Sequence, residues 1–194
     1  MRVDTVGLVS VHGPSGTISG AALGGRRARV AIVALAFADG PLPAERLASM
    51  IWAGNPPPSW NAALRGVIRA LRTAVAPIGV GAQQLVSTVP TGYVLGPGVV
   101  TDVGAAREAI GEATRLLAGG RFREAASSAA AAARLDGAAL LADEDLEWLD
   151  PYRAAITQTR MRALAALAEA ASGLGDTVAS VEHAQAAVAL SPMD

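Results

Sequence analysis

The chain contains no cysteine and no lysine, and its 194 residues include only two histidines, three tryptophans, two tyrosines and two phenylalanines. Without cysteine there is no disulfide, no thiol nucleophile and no cysteine metal site. Without lysine a phosphate-binding P-loop is excluded, although "GPSGTISGAALGG" at 13–25 is rich enough in glycine to suggest one. The start lacks a charged segment leading into a long apolar run, so no signal peptide is expected. Eighteen consecutive apolar residues occur nowhere, and the alanine tract at 125–133 is broken by serines. These absences describe a soluble, cytoplasmic protein with no membrane partner.

Chemistry is also thinly supplied. His12 falls in a strand and His183 on a distant helix, where a solvated or satisfied histidine is the ordinary reading and a metal ligand is not. Ser10 or Ser15 with His12 would need an orienting acid, and the local pattern places none in reach. The carboxylates Asp143, Glu144, Asp145 and Glu147 lack EF-hand spacing and read as a solvated loop or a partner-facing patch, with Trp148 anchoring the loop to the helical domain. The sequence therefore predicts no catalytic residue, no metal, no cofactor and no enzyme.

What is present is arginine, unevenly placed. Residues 1–97 hold eight arginines against three acids, a net of +5, and the remainder holds eight arginines against fourteen acids, a net of −6. Such a split suggests two modules with different partners, the front one suited to a polyanion. Three of the sixteen arginines lie in "SWNAALRGVIRALRTAV" at 59–75. Wound at about 100° per residue, Trp60, Leu64, Val67, Ile68, Leu71 and Val75 form a core-facing stripe. Asn61, Arg65, Arg69 and Arg72 fall on a separate arc of roughly 80°. No carboxylate stands four residues away to pair these arginines, whereas a merely solvated face mixes signs. The arginine fork suits phosphates and guanine edges, and asparagine suits adenine edges. Ser59 is a suitable N-cap after Pro56-Pro57-Pro58. Gly66, inside the helix, costs roughly 1 kcal/mol against alanine and either lets DNA approach closely or marks a drifted sequence.

Around this helix the pattern gives short strands over 3–19 with a turn at Gly13–Gly16, a helix over 26–38, a helix over 43–52, the arginine helix, and a hairpin of 85–89 and 93–95 about Pro90-Thr91-Gly92. Beyond it, helices over 103–118 and 122–135 are joined by "AGGRF", and helices over 151–172 and 177–190 by "GLGD". Gly120 and Gly175 lie 55 apart, and at that offset Ala133–Asp136 matches Val188–Ser191. The insertion "DGAALLADEDLEWLD" separates the two pairs.

The order and the residues resemble the actinobacterial antibiotic regulatory proteins. "VSTVPTGYVL" at 86–95 is similar to the wing signature of response-regulator winged helices. "LASMIWAGNPPPSWNAALRGVIRALRTAV" at 47–75 resembles that family's second and third helices, and "ALGGRRARVAIVALAFADGPLPAERLA" its first two. The paired helices resemble the bacterial transcriptional activator domain that follows the winged helix in such regulators. The resemblance implies a mainly α fold with small β-sheets: a winged helix-turn-helix domain over 1–97 and an all-α, tetratricopeptide-like repeat domain over 98–194. It implies a sequence-specific DNA-binding activator that binds tandem promoter repeats and contacts RNA polymerase, with a second copy on the DNA. Asn61 and Arg65 would contact bases, Arg69 and Arg72 would divide between bases and phosphates, Arg26 and Arg27 would contact phosphates, and Thr91 stands at the wing. That wing turn carries no charge, unlike many of its type. The competing expectation is a protein-interaction adaptor whose winged helix has lost DNA binding. "LSPMD" stops where a next repeat would begin, so a fragment or short form with an uncovered apolar face is expected.

Overall fold

A computed structural model describes residues 1–191; Pro192–Asp194, where a further repeat would start, lie outside the described residues. The chain divides into two compact units. The first comprises Met1–Asp102 together with Leu141–Asp150, and the second comprises Val103–Leu140 with Pro151–Asp194. The division therefore does not run simply along the sequence: ten residues from the insertion belong with the N-terminal unit.

The first unit opens with strands β1 (Arg2–Asp4), β2 (Ser10–Gly13) and β3 (Gly16–Ser19). The stretch to Val11 is divided between β1 and β2, with Gly7 at φ +82° turning the chain between them. β1 and β2 pair antiparallel with Val3 opposite Val11, and β2 and β3 pair with Val11 opposite Ile18. A two-residue strand β6 (Val100–Thr101) joins β1 in parallel, completing the order β3-β2-β1-β6. Val3 and Val11 are fully buried.

Three helices follow: α1 (Arg26–Ala36), α2 (Ala44–Ile51) and α3 (Trp60–Val75). Seven residues of α1 are buried, Ala28 and Val30–Leu35. Leu47, Ala48 and Ile51 of α2 and Leu64, Ile68, Leu71 and Val75 of α3 complete the core among the helices. A short helix α4 (Ala82–Leu85) then leads into the hairpin β4 (Val86–Val89) and β5 (Gly92–Leu95), registered Val86 to Leu95 and Val89 to Gly92. The hairpin is fastened to the segment before α2 by reciprocal backbone hydrogen bonds between Leu42 and Tyr93, at 2.8 and 3.0 Å. Asp102 closes the unit. Its buried carboxylate accepts from the amides of Thr5 and Val6, each at 2.9 Å, and from the Thr5 hydroxyl at 2.8 Å.

The second unit is helical: α5, which begins at Asp102 and runs to Ala118, α6 (Phe122–Ala129), α7 (Asp150–Gly173) and α8 (Thr177–Ala189). Its interior is built in thin alanine layers. Ala106, Ala132 and Ala163 form one, Ala113, Ala129 and Ala166 a second, and Leu116, Ala125 and Ala170 a third. Small side chains let helix axes approach closely, which is why so alanine-rich a sequence still packs. The 55-residue repeat appears in the backbone. Gly120 and Gly175 both adopt left-handed φ, +68° and +79°. After each, the next amide reaches back five residues, Arg121 to the Leu116 carbonyl and Asp176 to that of Ala171, both at 2.9 Å. This is the same Schellman closure twice. No residue of α8 is buried, and Val178, Val181 and Val188 are exposed.

Gly92 carries the tightest constraint in the hairpin. Its φ is +146°, and a Cβ there would meet the Leu42 carbonyl. Gly92→Ala should lower stability by roughly 3 kcal/mol through backbone strain and the displaced Leu42–Tyr93 pairing; a chemical-denaturation midpoint equal to the parent's would contradict this account.

Candidate nucleic-acid interface

The arc read from the sequence is present on α3. Leu64, Ile68, Leu71 and Val75 are buried, while Trp60 and Val67 are half-buried. Asn61, Arg65 and Arg69 are exposed, and among the described residues no hydrogen bond or ion pair holds any of them. Nothing lies within 4 Å of a Cβ built on Gly66, so packing does not demand that glycine. Ser59 occupies the N-cap position but makes no side-chain capping hydrogen bond, so the expected cap is absent and the proline run alone delimits the helix start.

Arg72 differs from its neighbours on the arc. Its Nε and Nη2 donate to the Val86 carbonyl at 3.0 and 2.7 Å, and Nη2 also donates to Thr88 Oγ1 at 2.9 Å. The guanidinium thus joins the end of α3 to strand β4. Val86 is fully buried, and a charge-assisted donor satisfies its carbonyl. Thr91 is exposed at the tip of the hairpin.

Arg26 and Arg27 are committed to protein partners. Arg26 grips Glu144 through two contacts, its Nε donating to Oε1 at 2.7 Å and its Nη2 meeting Oε2. The Glu144 side chain is 1% exposed. Arg27 lies over the Trp52 ring at 5.3 Å from its centre. Arg29 pairs with Asp143 at 2.9 Å. These contacts explain why α1 tolerates three arginines at its start, at the positive end of the helix dipole, with no acid of its own in the first turn. The acids arrive from 141–150. The hydrogen bond from Arg29 holds the Asp143 carboxyl below the usual carboxylate range. Its contribution is present above the unfolded carboxylate pKa and fades as pH falls through the lowered folded value. Asp143 is 57% exposed, so solvent screens most of it.

The acidic cluster is therefore divided: Glu144 is buried and Asp143 pairs with Arg29, both turned to their own chain, while Asp145 and Glu147 are exposed, as a solvated loop would have them. Trp148 also departs from expectation. Its indole N–H donates to the Met50 carbonyl of α2 at 3.1 Å, so its observed anchor lies in the winged-helix unit. Leu141, Leu146 and Leu149 are buried in the same segment. The available signal was an acidic, tryptophan-bearing insertion in a chain whose front is rich in arginine, but sequence alone gives no pairing between residues 114 to 118 apart.

His12 does have an acid nearby. Asp4 Oδ2 lies 2.8 Å from His12 Nε2, and Ser10 Oγ lies 3.1 Å from the same nitrogen, while Thr17 Oγ1 meets Nδ1 at 2.9 Å. Register explains the grouping, since Asp4 faces Ser10 and His12 faces Thr17 across the sheet. A relay needs serine and acid on opposite ring nitrogens; here both sit on one. The group is a polar cross-strand ladder.

Residues 101–194 match the family model described as "Bacterial transcriptional activator domain". Comparison with curated proteins finds no match. Among solved structures, the chain is similar to one described as Mycobacterium tuberculosis EmbR in complex with low affinity phosphopeptide, with a TM-score of 0.82 at 22% identity. The likeness covers 95% of this chain and 49% of that one, so this chain spans about half the length of EmbR. At that identity it speaks to the fold, a winged helix followed by a helical domain. Among the described residues no helix is long and apolar enough to cross a membrane.

Arg72→Ala should cost about 1–2 kcal/mol, because the buried Val86 carbonyl loses its donor. Arg72→Lys should restore little, since an ammonium cannot reproduce the two-nitrogen fork. Denaturant melts of both variants test this, and a parent-like Arg72→Ala would show that the α3–β4 tie is idle.

Proposed function

We propose that this chain, a transcription regulator of the antibiotic regulatory protein type that joins a winged helix to a bacterial transcriptional activator domain, reads duplex DNA through α3. One observation carries the proposal: Asn61, Arg65 and Arg69 form an exposed polar strip on a helix whose opposite face is core. Side chains already satisfied within the protein would have to break bonds to meet DNA; these do not. With the first turns of α3 in the major groove, Asn61 and Arg65 meet base edges and Arg69 divides between bases and phosphates. Thr91 brings the wing to the backbone. Arg72 acts chiefly by fixing the wing to α3. Of the two α1 candidates, Arg26 is held by a buried carboxylate, and Arg27, stacked on Trp52, keeps the freer access to a phosphate. Activation follows from contact with RNA polymerase, with two copies on tandem repeats. Two linked modules gain affinity by geometry without new base contacts.

The adaptor reading is favoured by a different observation. The first unit, with Leu141–Asp150 included, holds eight arginines against nine carboxylates. A near-neutral unit attracts a polyanion weakly, and an adaptor would need no such attraction.

Mobility-shift titrations separate the two. Arg65→Ala should weaken binding to a selected duplex by roughly 1–3 kcal/mol and relax its sequence preference. If Arg65→Ala binds every duplex as the parent does, α3 is not the reader. On a tandem site, binding should be cooperative and should lose that cooperativity when five base pairs, about half a helical turn, separate the repeats further. Equal affinity at both spacings would remove the paired-site arrangement.

A further inference from the structure

The charge balance that favours an adaptor has a specific structural source. Met1–Asp102 alone holds eight arginines against four acids, Asp4, Asp39, Glu45 and Asp102. Leu141–Asp150 adds five acids and no arginine. The segment is fixed firmly. Leu141, Leu146 and Leu149 are each no more than 3% exposed, Glu144 is buried against Arg26, and Trp148 is bonded to α2. Burying three leucines stabilises by roughly 1.5–3 kcal/mol each, so apolar packing carries the segment into place, where the buried Glu144 in turn requires its Arg26 partner.

Within it, Asp145 and Glu147 serve no such anchoring role; both are exposed. They line a cleft of about 490 Å³ together with Ser49 and Met50 of α2 and Ala53 and Gly54 of the following turn. Ala53 and Gly54 both take left-handed backbone, φ +52° and +81°, and this turn feeds the start of α3. The two carboxylates thus flank the turn that delivers the reading helix.

We infer that Leu141–Asp150 is an electrostatic counterweight that sets DNA specificity: Asp145 and Glu147, placed beside the α2–α3 turn, repel the phosphate backbone, suppressing sequence-independent attraction so that binding depends on base contacts from α3. The inference rests on the DNA-reading proposal above. Its physics is the ordinary balance of nucleic-acid recognition. Sequence-independent affinity comes from neutralised phosphates and falls with salt, while discrimination comes from base edges. A fixed negative charge within a Debye length of the duplex, about 8–10 Å at physiological salt, opposes the first term and leaves the second. Arg26 and Arg29, held by Glu144 and Asp143, are withdrawn from the same sequence-independent attraction.

The test uses the full chain and a 30-base-pair duplex of random sequence. Asp145→Asn with Glu147→Gln removes two exposed charges and leaves the buried Glu144 pair intact. Its affinity for the random duplex should rise about threefold or more at about 50 mM salt, with the gain shrinking towards parity near 0.3 M. Ala142→Glu, which adds a carboxylate at an exposed position of the same segment, should act in the opposite direction. If the parent binds the duplex and the neutralised variant binds it equally at low salt, the counterweight is overturned while DNA reading stands. If the parent binds no detectable duplex but the neutralised variant does, the counterweight is supported outright. If neither binds any duplex, the DNA reading itself fails and takes this inference with it.

Discussion

The contact on which the winged-helix unit depends is the one between Arg26 at the start of α1 and the buried carboxylate of Glu144. A helix whose first residues are Arg26, Arg27 and Arg29, with no acid in its first turn, places positive charge against the positive end of its own dipole. The protein resolves this from a distance. Glu144 and Asp143 come from a segment more than a hundred residues later, and that segment also brings the Trp148 bond to α2 and three buried leucines. A carboxylate as buried as Glu144 is tolerable only when paired and hydrogen-bonded, and Arg26 supplies a hydrogen bond from Nε to Oε1 and an ion pair from Nη2 to Oε2. The segment and the helix start therefore require each other.

This arrangement changes what the charge distribution means. Read along the chain, a basic front precedes an acidic back. Read in space, the first unit sits near neutrality, because the insertion deposits its acids there. Among the described residues of this unit, the exposed arginines with no hydrogen bond or ion pair are Arg46 on α2, Arg65 and Arg69 on α3, with Asn61 beside the last two, and Arg27, which lies over Trp52. Arginines of this unit thus do different kinds of work. Arg26 and Arg29 hold the inserted segment, Arg72 ties the wing hairpin to α3, and the outer residues of α3 remain free to meet a ligand.

The helical unit follows a simpler logic. Its repeat is written in small residues: alanine where helices must approach, and glycine where the chain must turn with positive φ. Gly120 and Gly175 close their helices with the same pair of backbone hydrogen bonds, so the 55-residue spacing seen in the sequence is a spacing of identical local geometry.

Local and periodic features were legible in the sequence. The amphipathic winding of α3 placed Leu64, Ile68, Leu71 and Val75 in the core and Asn61, Arg65 and Arg69 outside, because a 3.6-residue period fixes the faces before any tertiary contact forms. The hairpin at 86–95 and the glycine turns were legible for the same reason: their signals lie within a few residues of each other. What only the tertiary structure decided is pairing across long separations. The parallel contact of β6 with β1, the capture of the Thr5 and Val6 amides by Asp102, the partner of Trp148 and the neutralisation of Arg26 and Arg29 all join residues about a hundred positions apart. Charge type announces that an arginine needs a partner. Which carboxylate reaches it depends on where packing delivers each segment, and that is settled by the leucines and helices that carry those charges into place.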